Sequence, residues 1–251
     1  MNDMKRRRKG NRKGVAILPN LFTSANLFCG FYSIIASVKG DFYPAAVAIL
    51  VALVMDGLDG KVARFTRTSS RFGVEYDSLA DLVSFGVAPA MLAFMWALMP
   101  VGRLGWLAAF LFVACGALRL ARFNTQVDTV DKGRFVGLPI PAAAAVVATG
   151  VILAGDYDLA IEPQIPVLAA LYGLSFLMVS TIPYQSFKSY DPLKRRPFNT
   201  LVAALLILVV VAMEPHLMMF LLLACYVVSG PLLLVVRRPA EAKKDRELRQ
   251  V

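Results

Sequence analysis

Long apolar blocks dominate this sequence and leave few folds open to it. They run about Leu21–Val38, Phe42–Val54, Phe85–Met99, Gly105–Leu118, Ile140–Leu153, Pro166–Ile182, Leu201–Met213 and Leu217–Val236, with short polar spacers between them. In hydrocarbon every backbone amide must find its partner inside the segment, so blocks of this kind read as membrane-spanning helices. Several are shorter than the roughly 20 residues that a bilayer core requires, so polar flanks must extend them or neighbours must shield them. The expected architecture is an all-α polytopic membrane protein of about eight transmembrane helices, with about six as the competing count.

Charge placement supports that reading. The chain is 58% hydrophobic and 18% charged, and its charges sort by loop. With both termini inside and the blocks crossing in turn, every Lys and Arg except Lys39 and Arg103 lies on the inner side. Asp156, Asp158 and Glu162 share an outer loop. Inner loops rich in Lys and Arg are the signature of membrane insertion, and a soluble bundle has no reason to sort charge this way. The pattern places an integral protein in the cell membrane, the inner one where there are two, with both termini cytoplasmic. The net charge of +10 and the basic head Lys5–Lys9 do not require nucleic acid. No recognition module accompanies them, and attraction to anionic membrane phospholipid explains basic segments that border apolar spans. The first block follows a long basic head and lacks a persuasive cleavage site, which argues against a secretory signal. Cys29, Cys115 and Cys225 lie inside apolar blocks and read as small hydrophobes, not as disulfide partners or metal ligands.

The chemistry is concentrated between the second and third blocks. Asp56 and Asp59 are three residues apart, and Asp77 and Asp81 are four apart, so each pair shares a helical face. The first pair ends one span, the second begins the next, and a tight inner turn brings them together. Carboxylates at the edge of lipid are costly unless paired, hydrated or bound to metal. Four converging carboxylates repel one another, and divalent cations remove that penalty. An all-oxygen ligand set favours a hard ion such as Mg²⁺ or Mn²⁺ over zinc. Gly57, Gly60 and Gly73 weaken a helix in exchange for close backbone approach. With Ala63 also small, a base or ribose fits against the helix, and the planar fork of Arg64 suits a phosphate. Lys61, Arg67 and Arg71 read as topology or phosphate-attracting charges, and Glu75 falls off the Asp77–Asp81 face.

At these residues the sequence resembles the CDP-alcohol phosphatidyltransferase family, whose signature is D-x-x-D-G-x-x-A-R, eight residues, then G-x-x-x-D-x-x-x-D. Asp56, Asp59, Gly60, Ala63, Arg64, Gly73, Asp77 and Asp81 match it without departure. Fixed residues at fixed spacings are far more specific than a lone glycine motif. The resemblance implies a six-helix catalytic core, a membrane homodimer and metal-dependent exchange of CMP for an alcohol. It makes Asp56, Asp59 and Asp77 the principal metal ligands, and it gives Asp81 to a second metal ion and to the role of base. Asp56, Gly60, Ala63, Arg64 and Gly73 would line the site for the CDP-lipid.

Further segments narrow the resemblance to the integral-membrane branch of bacteria and archaea that joins CDP-diacylglycerol to L-serine. They are Pro19–Asn26, Cys29-Gly30-Phe31, Asp77–Pro89, Arg119–Asn124 and Phe135–Pro141. Glycerol 3-phosphate or inositol phosphate is the alternative acceptor. An intramembrane prenyltransferase also pairs aspartates around pyrophosphate but has no need of the Asp-Gly-x-x-Ala-Arg arrangement. A transporter would call for polar residues deep in the later spans, and the last two offer almost none. Serine carries a carboxylate and an ammonium, so its site needs a cation and polar acceptors. Thr23, Asn26, Arg119, Arg122 and Asn124 are the candidates. For the two arginines a second reading stands beside this one, in which they anchor the inner end of a helix. Ser78 and Ser84 either join the headgroup site or bond within a helix. The chain divides into a basic segment 1–14, a catalytic membrane core 15–200, two added helices within 201–236 and a charged tail 237–251.

Overall fold

The computed structural model describes residues 17–66, 70–126, 134–157, 164–185 and 213–248. The side chains of 17–18, 63–64, 66, 126, 134–136, 183–185 and 233–248 are excepted. The basic head, Asp158, Glu162, most of the loop 184–199 and nearly all of the block Leu201–Met213 lie outside the described residues.

Helices α1 (Ile17–Lys39) and α2 (Phe42–Thr66) form an antiparallel hairpin. Gly40 closes it with φ 85°, a left-handed conformation open to glycine at little cost. The amides of Gly40 and Asp41 return to the carbonyls of Ser37 and Ala36, satisfying the end of α1. Helix α3 (Arg71–Val101) follows. Ser70 caps it, in extended conformation, by accepting the Gly73 amide at 3.0 Å. Two stretches of α3, Leu82–Val87 and Phe94–Leu98, are wound as π-helix: the Ala88 amide reaches back to Val83 O and the Met99 amide to Phe94 O. Each ends within two residues of a proline, Pro89 and Pro100. A proline ring collides with the carbonyl four residues earlier, and a widened turn relieves that collision.

Helix α4 (Arg103–Gln126) leads into strand β1 (Arg134–Val136), then α5 (Ile140–Asp156), α6 (Gln164–Val179), strand β2 (Pro183–Gln185) and α7 (Pro215–Leu248). The short antiparallel pairing sets Arg134 against Gln185, Phe135 against Tyr184 and Val136 against Pro183. It is absent from the sequence-based expectation. Gly137 makes it possible: with φ 83°, it turns the chain so that its amide meets Ile182 O at 2.9 Å. Pro139 then stands just before α5 and Pro141 in its first turn, where a fixed φ and a missing amide donor cost the helix nothing.

Among the described residues, α1, α2, α3, α4 and α7 are long and apolar enough to cross a membrane, while α5 and α6 are shorter apolar helices. The core between them is lined largely by small residues, including Ala45, Ala46 and Ala52 of α2, Ala88 of α3 and Ala143, Ala144 and Ala148 of α5. Without a hydrophobic drive in lipid, such residues let helices approach and pack. Phe28, Phe31, Trp106, Phe110 and Phe176 are exposed on the outer faces, where hydrocarbon takes the place of water. The protein is membrane-embedded. Its polar interruptions are more helical than the hydropathy suggested: α2 continues to Thr66 and α3 starts at Arg71, leaving a short link between the aspartate pairs. Beyond the last block, α7 likewise continues through the charged tail to Leu248.

Candidate active site

The site lies where α2 ends and α3 begins. One carboxylate oxygen from each of Asp56, Asp59 and Asp77 can be chosen so that all lie within 4.8 Å of one another. Helical spacing sets Asp56 and Asp59 on one face of α2, and the cap at Ser70 fixes where α3 starts. Asp77 is thereby delivered to that face. Asp77 Oδ1 is buried and has no hydrogen-bond partner. An acidic oxygen held away from donors in a cluster of like charge suits a hard cation, and the all-oxygen donor set fits magnesium-like ions. Glu75, on the same helix, is exposed.

Helix α1 braces these carboxylates. Thr23 Oγ1 donates to Asp59 Oδ2 at 3.0 Å, and Asn26 Nδ2 donates to Asp81 Oδ1 at 3.0 Å. Asp59, Asp81, Thr23 and Asn26 are all buried. Three further contacts hold α1 on α3. Ser84 Oγ donates to Asn26 O at 2.9 Å, and Ser24 Oγ lies 2.9 Å from the Tyr76 hydroxyl. Gly30 lets the backbones meet: a Cβ there would come within 2.6 Å of Ser84 Cα. At Gly73 a Cβ would lie 3.2 Å from Ser70 Oγ and 3.4 Å from Asn20 Oδ1, so that glycine also serves a close approach. Gly57 differs from expectation, because it is exposed and nothing lies within 4 Å of a Cβ built on it.

The candidate acceptor residues separate by what already occupies them. Thr23 is engaged by Asp59. Arg122 Nη1 donates to Val179 O at 3.1 Å, which ties α4 to the last carbonyls of α6. Asn124 Nδ2 donates to Ser78 Oγ at 3.0 Å, and Ser78 in turn donates to Val74 O within its own helix. Asn26 and Arg119 are left with open capacity: Asn26 Oδ1 and Arg119 Nε are buried without partners. Gly60 stands one residue after Asp59 on α2, half-buried. The side chains of Ala63 and Arg64 lie outside the described residues.

A family model described as CDP-alcohol phosphatidyltransferase matches residues 16–181. The chain belongs to that family. CDP-alcohol phosphatidyltransferases are metal-dependent, and the cluster of Asp56, Asp59 and Asp77 fits a divalent ion. Among curated relatives, a Helicobacter pylori protein named CDP-diacylglycerol–serine O-phosphatidyltransferase is 44% identical over 173 residues, covering 68% of this chain and 73% of the relative. A Bacillus subtilis protein of the same name is 37% identical over 175 residues, 69% of this chain and 92% of the relative. An archaetidylserine synthase of Methanothermobacter thermautotrophicus is 38% identical over 169 residues, 66% of this chain and 69% of the relative. The family match ends before α7, so residues that α7 contributes have no counterpart in the signature. Tyr226 is one: it stands on α7, half-buried against the core, with its hydroxyl in an otherwise apolar run. Its Leu- and Val-rich surroundings gave no sign of a polar role.

Proposed function

We propose that this protein transfers the phosphatidyl group of CDP-diacylglycerol to the hydroxyl of L-serine, giving phosphatidylserine and CMP. The convergence of carboxylates from α2 and α3 carries the reading, and the names of the relatives support serine as the acceptor. Asp56, Asp59, Asp77 and Asp81 would hold a pair of Mg²⁺ or Mn²⁺ ions. Bound there, such ions neutralise the pyrophosphate and favour departure of CMP.

The rest falls to the chain's own groups. Asp56, Gly60, Ala63, Arg64 and Gly73 bind and orient the CDP-lipid, with Arg64 on a phosphate. Asn26 fixes the Asp81 carboxylate by donating to one oxygen and leaves the other to take the proton of the acceptor hydroxyl. As that proton reaches Asp81, the serine oxygen forms its bond to the β-phosphorus. The bond from phosphorus to the bridging oxygen breaks, and its electron pair leaves with CMP. General-base assistance of this kind is worth about 10²–10⁴-fold in rate.

On the same reading the catalytic core spans 15–200, with two added helices within 201–236, a basic segment 1–14 and a charged tail 237–251. The site and both termini face the cytoplasm, as the sorting of Lys and Arg favours. The protein works as a homodimer among membrane phospholipids. Purified protein in detergent, given CDP-diacylglycerol, is expected to release CMP faster with L-serine than with glycerol 3-phosphate. Activity is expected to vanish on chelation and return with Mg²⁺ or Mn²⁺. Faster release with glycerol 3-phosphate, or release of pyrophosphate in place of CMP, would refute the proposal.

A further inference from the structure

The end of the bundle away from the aspartates holds a cavity of about 570 Å³ among α3, α5, α6 and α7. Ala93 and Trp96 of α3 wall it, roughly 20 Å along the helix from Asp81 at a rise of about 1.5 Å per residue. The lining is aliphatic, glycine or aromatic throughout, and the Trp96 indole brings its one side-chain polar group. Val151, Leu171 and Leu174 form a buried floor. Gly155, Pro166 and Ala170 are exposed, so the cavity opens beside the N-terminal end of α6. Protein interiors leave few voids larger than a water molecule, and an apolar void stays dry. An apolar chamber of this size that opens on the lipid-facing side of a membrane-embedded bundle calls for hydrocarbon.

A polar rim stands at one end of that chamber. Asp156 follows Gly155 on α5, and His216 precedes Phe220 by one turn on α7; their side chains are hydrogen-bonded. Beside them the Tyr157 hydroxyl donates to Glu214 at 3.2 Å, and Tyr43 of α2 meets the His216 ring edge-on. An apolar chamber under a polar rim has the order of an amphiphile. The charge of the rim is acidic: this end of the chain carries Asp41, Asp156, Asp158, Glu162 and Glu214 against Lys39 and Arg103.

We infer that the cavity holds one acyl chain of an amine-bearing phospholipid from the leaflet remote from the aspartates, with its ammonium at the rim of Asp156 and Glu214. This lipid is separate from the donor, whose pyrophosphate belongs at the aspartates, and the inference does not rest on the serine-transfer reading. Phe220 lies beyond residues 16–181, where the family match ends, so the lipid joins α7 to the core that it flanks.

The two tryptophans of the chain are Trp96, on the cavity wall, and Trp106, exposed on α4. Quenching of fluorescence by brominated acyl chains therefore reads them separately. Full-length Trp106→Phe protein is reconstituted in phosphatidylglycerol vesicles with a rising fraction of phosphatidylethanolamine brominated at mid-chain, and Trp96→Phe protein serves as the bulk-lipid reference. Trp96 is expected to reach half-maximal quenching at a lipid fraction about fivefold below that for Trp106, a selectivity of the size that a surface charge pair allows. With the bromine moved to the phosphatidylglycerol of the same mixtures, Trp96 is expected to be quenched less than Trp106. Ala170→Phe and Gly155→Leu, each made in both single-tryptophan proteins, fill the mouth of the cavity. Each is expected to abolish the enhanced quenching of Trp96 and to leave Trp106 unchanged. Unbrominated CDP-diacylglycerol is expected to leave the Trp96 signal intact.

Trp96 quenching that tracks Trp106 in every mixture shows bulk lipid contact only and overturns the site. Enhanced quenching that survives both substitutions in protein that melts normally does the same, as does a preference for brominated phosphatidylglycerol. Relief of quenching by CDP-diacylglycerol gives the cavity to the donor lipid and refutes the inference. If Ala170→Phe does not fold, Gly155→Leu decides, since a Cβ at that position meets nothing within 4 Å.

Discussion

Thr23 has one hydroxyl proton and two acceptors in reach, Pro19 O at 3.2 Å and Asp59 Oδ2 at 3.0 Å. The ionised oxygen is the stronger acceptor, so the proton serves Asp59 and fixes the rotamer of a proposed metal ligand. Residues that orient ligands typically cost about 10–100-fold in metal affinity when removed, and Thr23→Val is expected to raise the Mg²⁺ concentration for half-maximal activity by that factor. A metal titration of CMP release checks it. Asp81 is different in kind. Asp81→Asn keeps a polar side chain beside Asn26 but cannot take a proton, so turnover should fall by about 10²–10⁴-fold while CDP-diacylglycerol still binds. Equilibrium binding of the donor lipid alongside single-turnover rates separates the two effects.

At the scale of elements, the site depends on how closely α1 lies on α3. Ser84 sits in the first π-wound stretch and donates to the backbone of α1 at Asn26, directly where Gly30 admits it. Gly30→Ala forces a Cβ against the backbone of Ser84, which cannot swing aside. Such overpacking costs about 1–3 kcal/mol, so a lower melting temperature is expected together with reduced activity, because Thr23 and Asn26 ride on the displaced helix. The same end of the bundle also depends on Arg122, which answers a carbonyl at the C-terminal end of α6. A charged hydrogen bond at a helix C-terminus is worth about 1–2 kcal/mol, and Arg122→Ala is expected to lower thermal stability in detergent by that amount. By contrast, the pairing of Asp156 with His216 between α5 and α7 is over a third exposed on each side, and surface pairs of this kind contribute about 0–1 kcal/mol. Packing holds α7 more firmly there: Phe220 approaches Gly150 closely enough that a Cβ on the glycine would lie 3.5 Å away.

Seen as a whole molecule, the chain announces some of its features and conceals others for physical reasons. The meeting of Asp56, Asp59 and Asp77 was legible because charge beside apolar blocks is expensive, and regular spacing on helices leaves one arrangement that brings them together. Membrane embedding was legible because hydropathy and charge sorting are long-range averages that survive uncertain boundaries. What escaped depends on single contacts. Thr23 and Asn26 read as headgroup candidates, and the sequence did not show that their donors turn to Asp59 and Asp81, because spacing gives a face and not a partner. Arg119 and Arg122 share a spacing but not a fate, since Val179 comes from a distant helix. The strand pair at Arg134–Val136 and Pro183–Gln185 has no periodicity to betray it at that length, and the widened turns of α3 show in sequence only as Pro89 and Pro100. Tyr226 lay hidden in a run of Leu and Val.

The central claim is that carboxylates from α2 and α3 meet around divalent cations. Mn²⁺ binding followed by electron paramagnetic resonance on the purified protein tests it most directly, with Asp56→Asn and Asp77→Asn, one from each helix, beside the wild type. Saturable binding in the wild type that either substitution weakens at least about tenfold is the expected result. Equal Mn²⁺ affinity in all three proteins, or no saturable binding in the wild type, would contradict it.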